Sequence, residues 1–301
     1  EGSVRLDRIA HAFLFSGTRG IGKTTLARIL ARIVNCINLN KKLVEPCGEC
    51  INCDSIDKGN NIDVIEIDAA SRTGVADVRE IIENLGYKAV EVKKKIYIID
   101  EVHMLSKAAF NALLKTLEEP PEYLKFIFAT TEIKKIPITV VSRCQRFDLP
   151  RIKSVELFEF IKKIKDKENG KVSDEAIKLI VKISEGSVRD ALSLLDRALL
   201  SLNSNAEFNL TAAKKIFGYF DKSQLINLFK LIFQGDEKEV LKMYRSIYDQ
   251  GVEPKTFIND FLELLYYFKN IQFLKVSATN FSLNDEEFQL IKEIAKEVKS
   301  E

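Results

Sequence analysis

Between Ala12 and Leu149 the chain sets short apolar runs against longer segments of helical periodicity. The runs are Ala12-Phe13-Leu14-Phe15, Val64-Ile65-Glu66-Ile67, Ile96-Tyr97-Ile98-Ile99 and Phe126-Ile127-Phe128-Ala129. Each is too short for a helix and most lack strict alternation, the pattern of strands covered on both faces. Between them Leu26, Ile29, Leu30 and Ile33 make an apolar stripe at helical spacing. The segment from Lys107 to Glu118 reads as a helix that Pro120-Pro121 stops. Strands alternating with helices predict right-handed crossovers and an α/β domain with a parallel sheet, whose ligands lie at the carboxyl ends of its strands. After Pro150 the strand signal fades and the rest reads as helices. Gly170 and Asn203-Ser204-Asn205 are the clearest punctuation. The reading is therefore an α/β domain over 1–150, a small helical domain over 151–203 and a second helical domain over 204–301. In the last, Leu225, Leu228, Phe229 and Ile232 recur at helical spacing. Such a stripe serves either a core or a contact with another chain, with core the favoured reading.

Composition narrows the class. At 301 residues, 46% hydrophobic and 30% charged, the chain falls among ordinary globular sequences, long enough for two or three domains. No apolar run approaches the roughly 20 residues that span a bilayer, so no membrane role is expected. The opening Glu1-Gly2-Ser3-Val4-Arg5 has neither an initiator Met nor a signal-peptide pattern, and reads as a cytoplasmic fragment whose start lies upstream. With 46 basic against 44 acidic residues, any nucleic-acid contact must come from a local patch rather than a global charge.

The strongest chemical signal is Gly17-Thr18-Arg19-Gly20-Ile21-Gly22-Lys23-Thr24, which matches G-x-x-x-x-G-K-[ST] between an expected strand and an expected helix. Its glycines let backbone N–H groups curl around phosphate oxygens, and the following helix N-terminus adds a favourable dipole. Lys23 would reach the β- and γ-phosphates and Thr24 would hold Mg²⁺, with Thr25 next along the same phosphate-binding stretch. The run Ile96 to Ile99 ends in Asp100-Glu101, which puts two carboxylates where the sheet opens toward that loop. Asp100 would bind Mg²⁺ and Glu101 would polarise the attacking water, the step that separates an ATP hydrolase from a nucleotide holder. His103 has no nameable partner in sequence and reads as structural.

Cys36, Cys47, Cys50 and Cys53 follow the spacing C-x10-C-x2-C-x2-C, which suits a closed tetrahedral Zn²⁺ site with no catalytic role. An iron–sulfur cluster is the alternative; the upstream fourth cysteine and the lack of a following C-P favour zinc. Two arginines carry open readings. Arg143, in Ser142-Arg143-Cys144 after a loop containing Pro137, has no sequence-local carboxylate; it is either a surface residue or one aimed at a ligand. Arg189 falls in the first turn of an expected helix behind Ser187, where the dipole disfavours a cation, and either a phosphate or the neighbouring Asp190 resolves that conflict. Cys144 reads as a small buried side chain.

Four further strings complete a resemblance. They are Ile65-Glu66-Ile67-Asp68-Ala69-Ala70-Ser71-Arg72-Thr73, Ile99-Asp100-Glu101-Val102-His103-Met104-Leu105-Ser106, the stretch from Phe110 to Pro121, and Glu185-Gly186-Ser187-Val188-Arg189-Asp190-Ala191-Leu192. With the phosphate loop, the inserted cysteines and the Ser-Arg-Cys triplet, the chain resembles the gamma/tau subunit family of bacterial DNA polymerase III, densely from about His11 to Leu195. The resemblance implies an AAA+ P-loop NTPase domain with a parallel sheet and an inserted zinc module at about 36–53, then an all-helical lid and a helical collar. It implies an ATP-hydrolysing clamp-loader subunit using ATP, Mg²⁺ and Zn²⁺ in a cytoplasmic hetero-pentamer. Its partners would be other clamp-loader subunits, a sliding clamp, primer–template DNA and, through a further tail, the polymerase core.

By motif match the resemblance makes Thr131 the first sensor, Arg189 a second sensor on bound phosphate, Arg143 an arginine finger for a neighbour's ATP, and Arg72 a residue near the DNA path. The rivals are a catalytically silent partner such as the delta-prime subunit, a polymerase, and another AAA+ motor such as a branch-migration helicase. Intact Lys23, Thr24 and Glu101 argue against the first. The chain offers no separate paired carboxylates for the second, so no polymerase site of its own is expected.

Overall fold

The computed structural model describes residues 9–40, 43–71, 88–201, 207–217, 222–249, 254–270 and 285–297. The chain separates into two compact units, one of residues 1–152 with Ser187–Arg189, the other of residues 153–186 and 190–301.

The first unit is built on five strands: β1 (Ala12–Ser16), β2 (Val64–Asp68), β3 (Lys95–Asp100), β4 (Leu124–Thr130) and β5 (Gln145–Asp148). They form one sheet in the order β2-β3-β4-β1-β5, and every neighbouring pair is parallel. Successive side chains of a strand point to opposite faces. Phe13, Phe15, Ile96, Ile98 and Ile127 accordingly meet helix α1 (Lys23–Asn35) on one face. Ala12, Leu14, Tyr97, Ile99, Phe126 and Phe128 meet Ala109, Phe110, Leu113 and Leu117 of α3 (Lys107–Glu118) on the other. Burial on both faces explains why these strands read as unbroken apolar runs. The edge strand β5, less apolar in sequence, is exposed along its whole length. Parallel order brings the carboxyl ends of β1, β3 and β4 to one rim, where the phosphate-loop motif leaves β1 and the acidic pair leaves β3.

The α1 stripe expected from sequence is not the buried one. Leu26 and Ile29 are exposed at 36% and 39%, while Ala27 and Ala31 are at 0%. The buried row is Lys23, Ala27, Ala31 and Asn35, with Leu30 and Val34 partly covered beside it. The two alanines carry no side chain beyond Cβ, so the helix lies close on the sheet with this row inward and the bulkier stripe is turned to the side.

Helix α3 starts at Ser106, whose Oγ accepts the Ala109 N–H at 3.2 Å, and ends at Glu119 before Pro120. The short helix α2 (Ile51–Asp57) starts at Cys50 and carries Cys53 of the cysteine cluster. Before Arg143, where a loop was expected, Pro137 leads into one turn of helix, α4 (Ile138–Val141). A proline is well placed there, since the first N–H groups of a helix lack intrahelical partners.

Among the described residues the second unit is helical: α5 (Ser154–Lys167), α6 (Asp174–Ser184), most of α7 (Val188–Leu200), α8 (Leu210–Phe217), α9 (Lys222–Gln234), α10 (Glu237–Asp249), α11 (Pro254–Asn270) and α12 (Asp285–Glu297). One isolated bridge joins Val172 to Phe208. Leu225, Leu228 and Phe229 are buried in a core with Leu264, Phe268 and Ile291, so that stripe is core, while Ile232 at its end stays exposed. The expected boundary at Asn203-Ser204-Asn205 lies outside the described residues. No described helix is long and apolar enough to cross a membrane.

Candidate functional site

The loop from Gly17 to Gly22 joins the end of β1 to α1, and its first N–H donates to Thr130 O at the end of β4 at 3.2 Å. Gly17 is needed for close approach: a Cβ there would lie 2.5 Å from Leu149 O. Gly20 has φ +77°, and a Cβ on it would sit 2.1 Å from Ser187 Oγ. Thr18, Arg19 and Thr25 are exposed, Ile21 is buried, and Gly22 at φ 91° precedes the first turn of α1.

Lys23 is buried, and its ammonium donates to the loop's own carbonyls, Gly17 O at 3.0 Å and Thr18 O at 2.9 Å. Burial lowers its pKa, an effect opposed by the nearby carboxylates of Glu101 and Asp100. The Thr24 hydroxyl donates to Asp100 Oδ2 at 2.6 Å. The loop and the acidic end of β3, 76 positions apart in sequence, are thus in direct contact. Asp100 Oδ1 accepts the Glu101 N–H at 2.9 Å.

Glu101 has φ +46°, an uncommon conformation for a residue with a side chain and one often found where function fixes the backbone. Its Oε2 accepts from Thr131 N at 3.2 Å and Thr131 Oγ1 at 3.0 Å, just past the end of β4. His103, for which sequence named no partner, has three. Its Nδ1 lies 3.0 Å from Thr130 Oγ1 and 3.3 Å from Glu101 Oε2, and its Nε2 lies 3.6 Å from Glu132 Oε1. Thr130 ends the neighbouring strand β4 and Glu132 follows it, so only Glu101, two positions before His103, was within reach of local sequence reading.

Ser187 is buried and Arg189, at the start of α7, donates its backbone N–H to Gly20 O at 3.1 Å. This sets Arg189 beside the loop, within the first compact unit. Arg143 meets a carboxylate distant in sequence: it donates to Glu118 Oε1 at 2.6 Å, from the last turn of α3, and to Thr139 O at 2.6 Å. Cys144 is only partly buried against the sheet core, and burial pushes its thiol up to about 12. Arg72 lies outside the described residues.

The sulfurs of Cys36, Cys47, Cys50 and Cys53 all lie within 4.8 Å of one another, Cys36 and Cys47 at 3.6 Å. A tetrahedral zinc with Zn–S bonds of about 2.3 Å holds its sulfurs about 3.8 Å apart, so the four thiols fit that ion. Cys36 ends α1 and Cys50 begins α2, where its Sγ accepts the Cys53 N–H at 3.4 Å. Burial opposes ionisation of Cys50, but N–H donors of Ile37 and Cys53 and the neighbouring thiols outweigh it and bring the thiol down to about 6. At Cys53 burial prevails, and the thiol rises to about 12. Asn52 Nδ2 donates to Asn35 O at 2.9 Å, and the Asn35 amide pairs with both backbone groups of Lys94, so the cluster is tied to α1 and to the start of β3.

Comparison with known proteins bears on the whole chain. Residues 1–153 match the family described as DNA polymerase III, delta subunit; residues 157–202 match the ATPase lid domain of the DNA polymerase III clamp loader subunit; residues 208–301 match domain III of DNA polymerase III subunits gamma and tau. The chain is 40% identical over 285 residues to DNA polymerase III subunit tau/gamma of Haemophilus influenzae, covering 95% of this chain and 40% of that protein. It is 43% identical over 269 residues to DNA polymerase III subunit gamma of Buchnera aphidicola, covering 89% of this chain and 73% of that protein. Against the first it therefore spans well under half of its relative's length. Among solved structures it is similar to the RuvB Holliday-junction branch-migration motor of Thermotoga maritima, with TM-score 0.52, 20% identity, and coverage of 77% of this chain and 71% of that one. That likeness concerns the fold alone.

Proposed function

The chain belongs to the family of DNA polymerase III gamma and tau subunits, and on that footing we propose that it binds and hydrolyses ATP as one subunit of a clamp loader. The observation that carries the reading is the Thr24–Asp100 bond at 2.6 Å, which joins the phosphate loop to the acidic end of β3. The loop's N–H groups and the Lys23 ammonium would hold the phosphates, Lys23 exchanging the carbonyls of Gly17 and Thr18 for phosphate oxygens. Mg²⁺ held by Thr24 and Asp100 would neutralise charge on the β- and γ-phosphates. Water attacks the γ-phosphorus, its proton passes to Glu101, and the bond to the β-phosphate oxygen breaks to release ADP. Thr131, bonded to Glu101, and Arg189, whose backbone N–H meets Gly20 O, would act as sensors of the bound phosphate; Arg143 would serve a neighbour's site.

The same reading assigns residues 1–150 to the nucleotide-binding domain, 151–203 to a lid and 204–301 to a collar through which subunits join. The four cysteines would hold a structural Zn²⁺. The partners proposed are the other clamp-loader subunits, a sliding clamp and primer–template DNA, with Arg72 as the DNA-contact residue proposed by motif match, in the cytoplasm.

Variants of the full-length subunit separate binding from turnover. Lys23→Ala is expected to abolish ATP binding, whereas Glu101→Gln keeps it and loses about 10²- to 10⁴-fold in hydrolysis, the usual contribution of a positioned general base. Equal loss of binding in both variants would sink the assignment of Glu101.

A further inference from the structure

We infer that His103 is a positioning residue for hydrolysis, holding the Glu101 carboxylate through the Nδ1 edge of its ring; this rests on the reading of Glu101 as the group that takes the proton from water. The imidazole is only 6% exposed and follows β3 directly, in the turn Val102–Met104. Its two nitrogens face different partners: Nδ1 meets Thr130 Oγ1 at 3.0 Å and Glu101 Oε2 at 3.3 Å, and Nε2 meets Glu132 Oε1 at 3.6 Å. An ionised carboxylate only accepts, so the contact with Glu101 is attractive when Nδ1 carries a proton.

Thr131 donates to the same oxygen of Glu101 from its backbone and its hydroxyl, at 3.2 Å and 3.0 Å. All these contacts converge on Oε2, and among the described residues none engages Oε1. The carboxylate is thereby fixed in rotation, with one oxygen held and the other left for a proton. Thr130 is itself fixed, since its Oγ1 accepts the Glu132 N–H at 3.0 Å. His103 thus links the end of β3 to a rigid turn after β4. A general base acts only from the correct geometry, and small displacements of a reacting group are costly in rate.

The two ring nitrogens give the test its discrimination. In His103→Asn the amide NH₂ takes the place of Nδ1; in His103→Gln a longer side chain places its amide near Nε2. Both are polar, so a purely structural role for a buried polar side chain predicts similar behaviour. Measured on the full-length subunit in its assembly, His103→Gln is expected to lose about 10- to 100-fold in kcat for ATP, the range expected when a catalytic group is slightly misplaced. His103→Asn should retain most of kcat, and both should keep KM and nucleotide affinity. Adding His103→Gln to Glu101→Gln should cause no further loss. Equal kcat in the Asn and Gln variants, a parallel loss of nucleotide affinity, or an additive loss on the Glu101→Gln background overturns the positioning role. Undiminished turnover in Glu101→Gln alone instead overturns the reading on which it rests.

Discussion

Gly20 shows how narrowly a residue is specified at this site. An L side chain at φ +77° costs about 1–2 kcal/mol through contact of its Cβ with the following carbonyl, and here the Cβ would also sit 2.1 Å from Ser187 Oγ. Gly22, at φ +91°, has no atom within 4 Å of such a Cβ and carries only the conformational cost. Gly20→Ala is therefore expected to weaken ATP binding by more than about 10-fold, the equivalent of 1.4 kcal/mol. Removing the obstructing hydroxyl with Ser187→Gly should recover part of that loss, and should do nothing for Gly22→Ala. Nucleotide titrations of the two double variants decide it; equal rescue of both, or of neither, would show that the Ser187 contact is not the cause. Lys23, Thr24, Asp100 and Glu101 were legible because their spacing and flanking pattern are local. Ser187 next to Gly20, Thr130 beside His103 and Glu118 on Arg143 were not, because the fold brings together residues far apart in the chain that no local pattern connects.

At the scale of elements, periodicity located the strands and α3, but it misjudged which side of α1 is buried. Hydrophobicity ranks Leu26 and Ile29 above Ala27 and Ala31, yet close packing on a sheet selects for small side chains. The consequence reaches the cysteine cluster, because the buried row of α1 ends in Asn35, which bonds Lys94 and receives Asn52, and the next residue is Cys36. A metal there would fasten the end of α1 to α2. Purified protein should contain one zinc per chain, and Cys50→Ser should release it and open the segment between α1 and α2 to proteolysis. Because the cysteines contact no group of the phosphate loop, nucleotide affinity should change by less than about 3-fold, a structural rather than catalytic effect. Elemental analysis finding iron, or proteolysis unchanged after zinc loss, would refute this account.

For the whole molecule, the α/β class and the rim bearing the loop were legible from the alternation of runs. The order β2-β3-β4-β1-β5 was not, because apolar runs do not say which strands pair. That order lays β5 along the free side of β1, and the chain just before it carries Arg143, paired with Glu118 at 2.6 Å. The side chains of this pair are 33% and 51% exposed, so the pair is worth on the order of 1 kcal/mol or less and yields readily to a stronger anion. Such an arginine is oriented yet free to leave, as a finger directed at a neighbouring subunit's phosphates needs to be. Arginine fingers contribute about 10³- to 10⁵-fold in rate in other phosphate-loop enzymes. Arg143→Ala should therefore bind ATP almost normally as a single subunit, and turn over poorly once assembled with partner subunits, clamp and primed DNA. Mixing two defective chains gives the sharper test. Glu101→Gln has a dead site and a sound finger, and Arg143→Ala has a sound site and no finger, so some interfaces in a mixed ring unite a sound site with a sound finger. Mixed rings should regain part of the DNA-stimulated hydrolysis that neither variant shows alone. If mass measurements confirm mixed assembly and no activity returns, Arg143 acts within its own subunit and its proposed role toward a neighbour is wrong.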